Sequence, residues 1–362
     1  MASLIRWGIL GAGSIAALFA EGLRSVPGAE LRAVASRSAG RAARFAERFR
    51  ALRFHEGYEA LVTDPEVDVV YVATPNAMHA EHCLLALEAG KPVLCEKPFT
   101  LDAAEARRVV ATARRSGLFC MEAMWMRFAP AVREATTLVE QGRIGDLRMA
   151  TFELGMPFVF DAEHRVFQRA LGGGALLDLG VYPLSLASQL FGVPSRVSAQ
   201  ATIGVTGVDE QIAVLLQYPG GRQATIGASL RNPMANEGVI MGQRGLIKLH
   251  APLYFPPAFT LRDVAPHGSP RFATGGLLSR LRQSPAAHAI AARLRGLMGE
   301  IRVPRTFGNG YNYEAAEVGR CLREGQRESR IMPLDESVRI METVDEIRRQ
   351  LDAEGERAER IG

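Results

Sequence analysis

The segment GILGAGSIA, residues 8–16, constrains the fold of this chain more than any other feature. It joins an apolar run at 5–10, which is typical of a β-strand, to residues 14–26, whose apolar side chains recur at helical spacing. Continuous β-branched runs alternate with helical patterns of 10–15 residues as far as residue 125. This alternation predicts a parallel sheet that is covered by helices on both faces, which is a doubly wound α/β domain.

The glycine-rich turn also predicts a ligand, because it fits the pattern G-x-G-x-x-A at Gly11, Gly13 and Ala16. The first glycine permits a tight turn, the second lets the backbone approach a pyrophosphate, and the small third residue permits close helix packing. The free N–H groups at the helix start, at Ser14 and Ile15, favour phosphate oxygens. We expect a dinucleotide here; the alternative is a strand–helix turn without a ligand.

The end of the second predicted strand, LRAVASRSAGR, indicates which dinucleotide is bound. NAD sites usually place a carboxylate there for the ribose 2′-hydroxyl, but none lies between residues 32 and 41. Ser36, Arg37 and Arg41 occupy the stretch instead, and a guanidinium pairs well with a phosphate. We therefore predict NADP over NAD, with Arg37 as the main contact of the 2′-phosphate. The alternative is that both arginines are solvated surface groups.

The pattern changes after residue 130, where longer strand-like segments are joined by turns such as YPGG (218–221) and GQRG (242–245) without intervening helices. A largely antiparallel sheet in an α+β domain is the expected result. We predict a dinucleotide-binding domain at 1–125 and a substrate-binding domain at 126–362, which ends in two helices. The predicted strands of the second domain are 147–154, 195–203, 211–218, 223–230 and 238–250.

Composition and charge exclude several classes of function. The net charge is +4, but residues 271–305 hold seven arginines and one glutamate, which leaves −2 for the remainder. One basic segment, without zinc-finger spacing or aromatic–basic interleaving, does not predict nucleic-acid binding. No apolar run approaches the roughly 20 residues of a membrane helix, and the N-terminus lacks signal-peptide features. Four widely spaced cysteines favour reduced thiols in a cytoplasmic protein.

Four motifs together resemble the Gfo/Idh/MocA oxidoreductases, in the same order along nearly the whole chain. They are GAGSIA, VATPNAMHA (72–80), EKP (96–98) and GGGALLDLGVY (172–182). CEKPFTLDAAEA and MEAMWMRFAP (121–130) are most similar to the branch of dihydrodiol and NADP-dependent D-xylose dehydrogenases. The resemblance implies a Rossmann domain followed by a domain with an open sheet, and it implies a homodimer that forms through that sheet.

The resemblance also implies roles for residues near the cofactor. The nicotinamide would lie near EKP, with Glu96 close to the ribose, Lys97 facing the substrate and a cis peptide before Pro98. Trp125 would stack near the nicotinamide or the substrate, and Arg127 would contact either of them; the alternative for Trp125 is a packed core residue.

Lys97 is one of only three lysines, although the chain has 43 lysine and arginine residues in total. Oxidation of a carbinol removes a hydroxyl proton, and reduction polarises and protonates a carbonyl oxygen. An ammonium aimed at that oxygen serves both directions, and the pKa of a lysine can fall on burial whereas that of arginine hardly changes. The alternative is a surface ion pair of Lys97 with Glu96.

The GGGALLDLGVY motif places Asp178 and Tyr182 four residues apart, hence on one face of a helix. We predict that Tyr182 is the acid/base, with its pKa lowered by the nearby Lys97; the two roles could be exchanged. Asp178 would hold a substrate hydroxyl. The alternatives are a packed core aromatic for Tyr182 and a helix cap for Asp178.

ATPNAMHAEH follows the fourth strand, at the sheet edge where ligands bind. Its candidate cofactor contacts are Thr74, Pro75, Asn76 and His79. No third ligand accompanies His79 and His82, so we predict no metal site. Phe152 is a candidate wall of the substrate pocket.

Residues 271–305 depart from the resemblance, because they form a longer and more basic connection whose apolar residues recur at helical spacing around Pro285. A lid, a docking arm, weak lipid attachment and a packed surface insertion all remain open for this segment.

The sequence as a whole predicts an NADP-dependent oxidoreductase that acts on a secondary alcohol or hemiacetal of a sugar, cyclic polyol or dihydrodiol. The alternatives are a non-catalytic nucleotide-binding regulator of the same fold and a nicotinamide-dependent glycosidase.

Overall fold

A computed structural model describes residues 4–264 and 299–361 of the chain. The first domain is built on a six-stranded sheet whose order is β3-β2-β1-β4-β5-β6. All five strand pairs are parallel, which is the doubly wound arrangement that the alternating pattern predicted. The strands are β1 (Ile5–Leu10), β2 (Ala29–Ser36), β3 (Arg53–Glu56), β4 (Val69–Val72), β5 (Val93–Glu96) and β6 (Cys120–Ala123).

Helices cover both faces of this sheet because its strands are apolar on both sides; every residue of β4, β5 and β6 is buried. Phe19 of the first helix stacks on Tyr71 of β4, with ring centroids 3.8 Å apart. The helices of this domain are α1 (Ser14–Leu23), α2 (Ala39–Phe49), α3 (Glu59–Val62), α4 (His79–Glu88) and α5 (Ala103–Ser116).

The second sheet has eight strands in the order β14-β13-β12-β11-β7-β10-β9-β8. Its pairs are antiparallel except β7 with β10, which run parallel. The sheet is therefore open and mainly antiparallel, as predicted. Its strands are β7 (Leu147–Gly155), β8 (Arg196–Ile203), β9 (Asp209–Tyr218), β10 (Arg222–Ser229), β11 (Gly238–Gly242), β12 (Gly245–Leu249), β13 (Phe259–Asp263) and β14 (Glu300–Arg302).

The helices after β6 connect the two domains. The helix α6 (Pro130–Glu140) leads into the second sheet, and α7 (Val181–Phe191) packs against its inner face, where Phe152 and Ile226 are buried. The last helices, α8 (Tyr311–Arg323) and α9 (Leu334–Ile361), return to the first domain. Asn309, just before α8, donates to the Leu18 carbonyl at 2.7 Å, and Asp345 of α9 accepts from the N–H of Ala103 at 3.0 Å. The C-terminal segment therefore braces the first domain.

The prediction for the basic segment falls only partly within the described residues. Most of the basic segment 271–305 lies outside them; its last residues contribute β14, which pairs with β13. One helical stretch in the described part, Arg169–Phe191, is long and apolar enough to cross a membrane, but 89% of its apolar window is buried inside the protein. It is the core helical segment that carries Asp178 and Tyr182.

Candidate active site

The glycine-rich turn has the geometry that a dinucleotide requires. Gly11 has a φ of +106°, and a Cβ there would lie 2.5 Å from the Ala73 carbonyl oxygen, so only glycine fits between β1 and β4. A Cβ on Gly13 would meet nothing within 4 Å, which leaves open space above the turn for a phosphate. No side chain caps α1 and its first turn holds no acidic residue. The start of the helix therefore fits a pyrophosphate.

The end of β2 fits a 2′-phosphate better than a free ribose hydroxyl. Ser36 is buried there, while Arg37 and Arg41 are exposed beside Tyr58. Within residues 4–264 and 299–361, neither arginine forms an ion pair, so both guanidinium groups can receive an anion. NADP is therefore the dinucleotide that this end of the site fits.

The loop after β4 joins the two glycine-rich motifs. Asn76, which begins a 3₁₀ turn after Pro75, donates through Nδ2 to the Gly172 carbonyl at 3.1 Å. Thr74 is buried, and its hydroxyl lies 2.9 Å from Nδ1 of His82. The structure therefore brings Thr74, Pro75 and Asn76 to the carboxyl edge of the sheet, beside Gly11.

His79 does not face this cleft, and the predicted cofactor contact is corrected. The side chain is buried, with Nδ1 at 2.7 Å from the Pro98 carbonyl oxygen and Nε2 at 2.9 Å from the Thr74 carbonyl oxygen. Both ring nitrogens are thus engaged by backbone. His79 ties the loop after β4 to the segment after EKP, in which the Lys97–Pro98 peptide is cis as the resemblance implied.

Glu96 ends β5 as a buried carboxylate. One oxygen accepts a hydrogen bond from the Tyr71 hydroxyl, and the other accepts from the N–H of Lys97 at 3.1 Å. Burial raises the pKa of Glu96, although the Tyr71 hydroxyl and the Lys97 charge oppose that effect. Sequence reasoning missed Tyr71, whose signal was a phenol within an otherwise apolar buried strand.

Lys97 projects toward the GGGALLDLGVY segment and not into solvent. Its Nζ donates to the Asp178 carbonyl at 2.9 Å, lies 3.8 Å from the Asp178 carboxylate, and sits 4.7 Å from the centre of the Tyr182 ring. Burial disfavours the ammonium, but Tyr182, Asp178 and Glu96 outweigh it and raise the pKa of Lys97. Lys97 is therefore an ammonium at neutral pH, and the fall in pKa that burial can cause in a lysine is outweighed here by its neighbours.

Asp178 is held by two cations. Its Oδ1 accepts from Nη1 of Arg165 at 2.9 Å in addition to its contact with Lys97. Burial would raise the pKa of Asp178, but Lys97 and Arg165 together lower it, so the group is a carboxylate. Arg165 is about half exposed and was missed from the sequence, because nothing local distinguishes it in an arginine-rich chain.

A π-helical segment, Leu176–Gly180, precedes α7 and carries Asp178. Such segments recur at functional sites, where they re-aim side chains and carbonyl groups. Pro183 lacks an N–H and cannot bond to a carbonyl of the preceding turn. In the same stretch the Asp178 carbonyl accepts from Nζ of Lys97, so the irregular helix contributes a backbone acceptor to the site.

Tyr182 is buried, and its hydroxyl accepts from Nε1 of Trp125 at 3.0 Å. Burial raises the pKa of Tyr182, and the Lys97 charge and the Trp125 hydrogen bond offset only part of that increase. The predicted direction of the Lys97 effect is right, but the expected net lowering is wrong because burial dominates. At neutral pH the phenol and the ammonium therefore both carry their protons.

Trp125 is held in an aromatic stack that the sequence did not predict. Its ring centroid lies 4.5 Å from that of Tyr311, 5.2 Å from that of Phe255 and 5.9 Å from that of Tyr254. Tyr254 in turn lies 6.3 Å from Tyr182. The aromatic wall beside the Tyr182 phenol is assembled from three distant segments, which explains why no local pattern revealed it.

Arg127 and Phe152 do not occupy their predicted positions. The guanidinium of Arg127 is buried, and it donates to the Ser185 side chain at 2.8 Å and to Glu336 at 2.6 Å. It therefore joins α7 to α9, and the predicted contact with cofactor or substrate is corrected. Phe152 is fully buried in the second domain beside Gly238, so it is a core residue.

The described residues contain no group of three or more His, Cys, Asp or Glu side chains that could hold a metal ion. The side chains that contact one another here are the Lys97 ammonium, the Tyr182 phenol and the Asp178 carboxylate, and Lys97 follows a strand of the same parallel sheet as the glycine turn.

Comparison with known proteins places this chemistry in a family. A family model described as "Oxidoreductase family, NAD-binding Rossmann fold" matches residues 5–124, and one described as "GFO/IDH/MocA C-terminal domain" matches residues 132–248. The trans-1,2-dihydrobenzene-1,2-diol dehydrogenase of Mus musculus is 37% identical over 361 residues, covering 96% of this chain and 97% of the relative. The Homo sapiens enzyme of that name is 34% identical, with 96% and 97% coverage.

Solved structures agree with this placement. The 3-ketoreductase KijD10 from Actinomadura kijaniata, in complex with NADP and TDP-benzene, superposes with a TM-score of 0.79 at 27% identity, covering 96% of this chain and 98% of that one. A levoglucosan dehydrogenase in complex with NADH and levoglucosan reaches a TM-score of 0.80 at 21% identity, with 97% and 98% coverage, and is similar in fold. The chain therefore belongs to the Gfo/Idh/MocA family of oxidoreductases.

Proposed function

We propose that this protein is an NADP-dependent dehydrogenase that interconverts a secondary alcohol or hemiacetal with the corresponding carbonyl compound. The observation that carries the proposal is the contact set of Lys97, Asp178 and Tyr182, which pack together at the carboxyl edge of the dinucleotide-binding sheet. Sugars, cyclic polyols and trans-dihydrodiols are the proposed substrate classes. Two of the relatives named above are trans-1,2-dihydrobenzene-1,2-diol dehydrogenases, and the similar structure KijD10 is a 3-ketoreductase.

The residues of this chain divide the work of binding. Gly11, Gly13 and the N–H groups of Ser14 and Ile15 hold the pyrophosphate, while Arg37 and Arg41 hold the 2′-phosphate. Thr74, Pro75 and Asn76 line the part of the site that holds the nicotinamide, and Glu96 accepts a hydrogen bond from a ribose hydroxyl. Bound NADP supplies the hydride acceptor or donor.

The proton chemistry belongs to Lys97 and Tyr182. In carbonyl reduction the Lys97 ammonium stabilises the negative charge that develops on the oxygen, and Tyr182 donates a proton to it. In alcohol oxidation the same phenol accepts the hydroxyl proton after it has lost its own. Asp178 accepts a hydrogen bond from a neighbouring hydroxyl group of the substrate, and its negative charge keeps Lys97 protonated.

Trp125 and Arg165 position these groups. The Trp125 indole donates to the Tyr182 oxygen, so the phenolic proton points away from the indole and toward the cleft. Arg165 fixes the Asp178 carboxylate from the outer side. Since Arg165 is half exposed, it also borders the route by which substrate enters.

A panel of sugars, polyols and trans-dihydrodiols with NADP and with NAD tests the proposal, read as absorbance at 340 nm. We expect NADPH formation with at least one class and a preference for NADP. Tight NADP binding without absorbance change across the panel would favour a regulator. Release of a chromophore from a chromogenic glycoside without net NADPH would favour a glycosidase.

We further propose a cytoplasmic homodimer. All four cysteines are buried free thiols, which fits a reducing compartment. The outer face of the second sheet presents an apolar row, Met149, Met241 and Leu246, on three adjacent strands. These side chains are only partly covered within one chain, and a second copy packed on the sheet would bury them.

A further inference from the structure

A polar cavity of about 230 Å³ lies away from the catalytic cleft, between α6, α7 and the segment that leads into α9. Ser188 and Gln189 line it, about two helical turns along α7 from Tyr182. None of the residues assigned above to the cofactor or to proton transfer contributes to its wall. The remaining polar lining consists of charged side chains, and these are mostly arginines.

The charge around the cavity is unbalanced. Its charged lining is Arg127, Arg133, Arg330, Arg339, Glu140 and Glu336. Arg127 and Glu336 neutralise each other in a buried ion pair of 2.6 Å. Within the part of the chain that the structure describes, the other three arginines form no ion pair, and the carboxylate of the neighbouring Asp335 is paired with Arg114 at 2.8 Å. Three exposed arginines therefore line this space against one carboxylate residue that is unpaired among the described residues, Glu140.

Neutral donors complete the lining. The Ser188 hydroxyl can donate from α7. The Gln189 Oε1 atom is shielded from solvent, and it has no hydrogen-bond partner among the described residues. Rotation of that amide by 180° would place its NH₂ group there as a donor, since the oxygen and the nitrogen are interchangeable in shape. The wall of the cavity can thus combine guanidinium groups with neutral N–H and O–H donors.

We propose that this cavity binds a phosphate-type oxyanion, either inorganic phosphate or the phosphate group of a small metabolite. Guanidinium groups often pair with such oxyanions through two parallel hydrogen bonds, and these charge-assisted bonds are roughly twice as strong as neutral ones. A dianion would neutralise the excess charge of the lining, whereas water leaves the three guanidinium groups in mutual repulsion. The site does not depend on the proposed reaction.

Isothermal titration calorimetry on the full chain saturated with NADP tests the proposal, because the bound dinucleotide prevents phosphate from entering the glycine turn. The titrants are inorganic phosphate and a hexose phosphate, with sodium chloride at equal ionic strength as the reference. Arg133→Gln/Arg330→Gln removes two of the cavity cations. Arg108→Gln/Arg115→Gln makes the same charge change on the exposed side of α5 and serves as the control.

We expect saturable phosphate binding that the cavity variant weakens at least about tenfold and the control leaves unchanged, since each charge-assisted contact contributes substantially. Tighter binding of the hexose phosphate would identify a phosphorylated metabolite as the ligand, and equal affinity would identify the free oxyanion. Equal weakening in both variants, or heats that match those of chloride, would overturn the proposal. Circular dichroism of each variant confirms that the fold is retained.

Discussion

Lys97 is placed by contacts that arginine could not replace, because a compact ammonium reaches the Asp178 carbonyl at 2.9 Å while it stays above the Tyr182 ring. This explains why one of only three lysines in the chain stands at this position. The sequence predicted that Lys97, Asp178 and Tyr182 act together. It could not predict the balance of their charges, since that balance depends on burial and on Arg165, which lies elsewhere in the chain.

Lys97→Met tests the role of the ammonium, because methionine keeps the length of the side chain without its charge. We expect turnover to fall about 10³-fold or more, as the developing charge on the substrate oxygen loses its partner. Fluorescence titration should show NADP binding close to that of the wild type. Arg24→Met, which exchanges a cation for methionine at an exposed position just after α1, is the control. Near-normal turnover of Lys97→Met would contradict the mechanism.

The pH dependence of catalysis follows from the raised pKa of Tyr182. Alcohol oxidation needs the deprotonated phenol, so kcat/KM for oxidation should climb through the alkaline range, while carbonyl reduction should persist until the phenol titrates. Trp125→Phe keeps an aromatic ring but removes the donor that stabilises the phenolate. We therefore expect the midpoints of both profiles to move to higher pH.

Trp7→Phe is the control for this experiment, because the buried Nε1 of Trp7 has no hydrogen-bond partner in the described residues. Its profiles should coincide with those of the wild type. A Trp125→Phe enzyme with reduced turnover but unmoved midpoints would show that the indole acts only through packing.

Arg37→Asp tests the selection of the cofactor. The substitution replaces the predicted phosphate contact with a carboxylate that repels a 2′-phosphate and can accept a ribose 2′-hydroxyl. We expect the KM for NADP to rise about 10–100-fold while that for NAD changes little or falls. Arg48→Asp, an exposed change on α2, should leave both constants near those of the wild type. Unchanged NADP kinetics in Arg37→Asp would remove Arg37 from the site.

At the scale of elements, the sequence predicted the helices and strands whose apolar residues recur at a regular spacing. The parallel strands β1, β2, β4, β5 and β6 and the turn between β11 and β12 lie where the pattern placed them. It missed β3, because an edge strand with mostly exposed residues has no apolar run. It also missed the parallel pairing of β7 with β10, since strand direction depends on tertiary packing. The docking of α8 and α9 on the first domain had no local signal either.

The helix α8 contains a buried carboxyl group whose ionisation lowers the free energy of unfolding, and a stability experiment can measure this effect. Glu314, in the first turn of α8, is fully buried, and neither of its carboxyl oxygens has a hydrogen-bond partner in the described residues. Burial raises the pKa of Glu314, and the nearby Glu96 adds to the increase. The raised pKa means that its contribution to stability is present below the unfolded-state pKa of about 4.3 and is lost as pH rises toward the folded-state value.

Glu314→Gln should remove this loss, because the amide does not ionise. We expect the free energy of unfolding of the wild type to fall relative to the variant above about pH 4.3, by at most about 1.4 kcal/mol per pH unit. Urea unfolding at several pH values measures the difference. Glu324→Gln, an exposed change at the end of the same helix, should show no such divergence. Parallel curves for wild type and Glu314→Gln would mean that the carboxyl finds a partner in solution.

At the scale of the whole molecule, one face of the second sheet covers the helical segment of the candidate active site, and the other face is partly uncovered. The inner residues, among them Ala150 and Ile226, are buried on strands that pack against the helical segment carrying Asp178 and Tyr182. On the outer face, Met149 pairs with Met241, and Met241 pairs with Leu246. The same sheet can therefore support the site and associate with a second copy.

Met149→Glu tests the dimer, because a two-fold axis would place two new carboxylates in one buried interface, where unpaired charge is costly. We expect light scattering after size exclusion to show the mass of two chains for the wild type and of one chain for the variant at micromolar concentration. Leu52→Glu also replaces an apolar residue with an acidic one, at a position on the first domain that is 66% exposed, and it should leave the dimer intact. If Met149→Glu remained dimeric, the interface would lie elsewhere. If the wild type were itself a monomer, the apolar row on the sheet would be a solvent-facing surface.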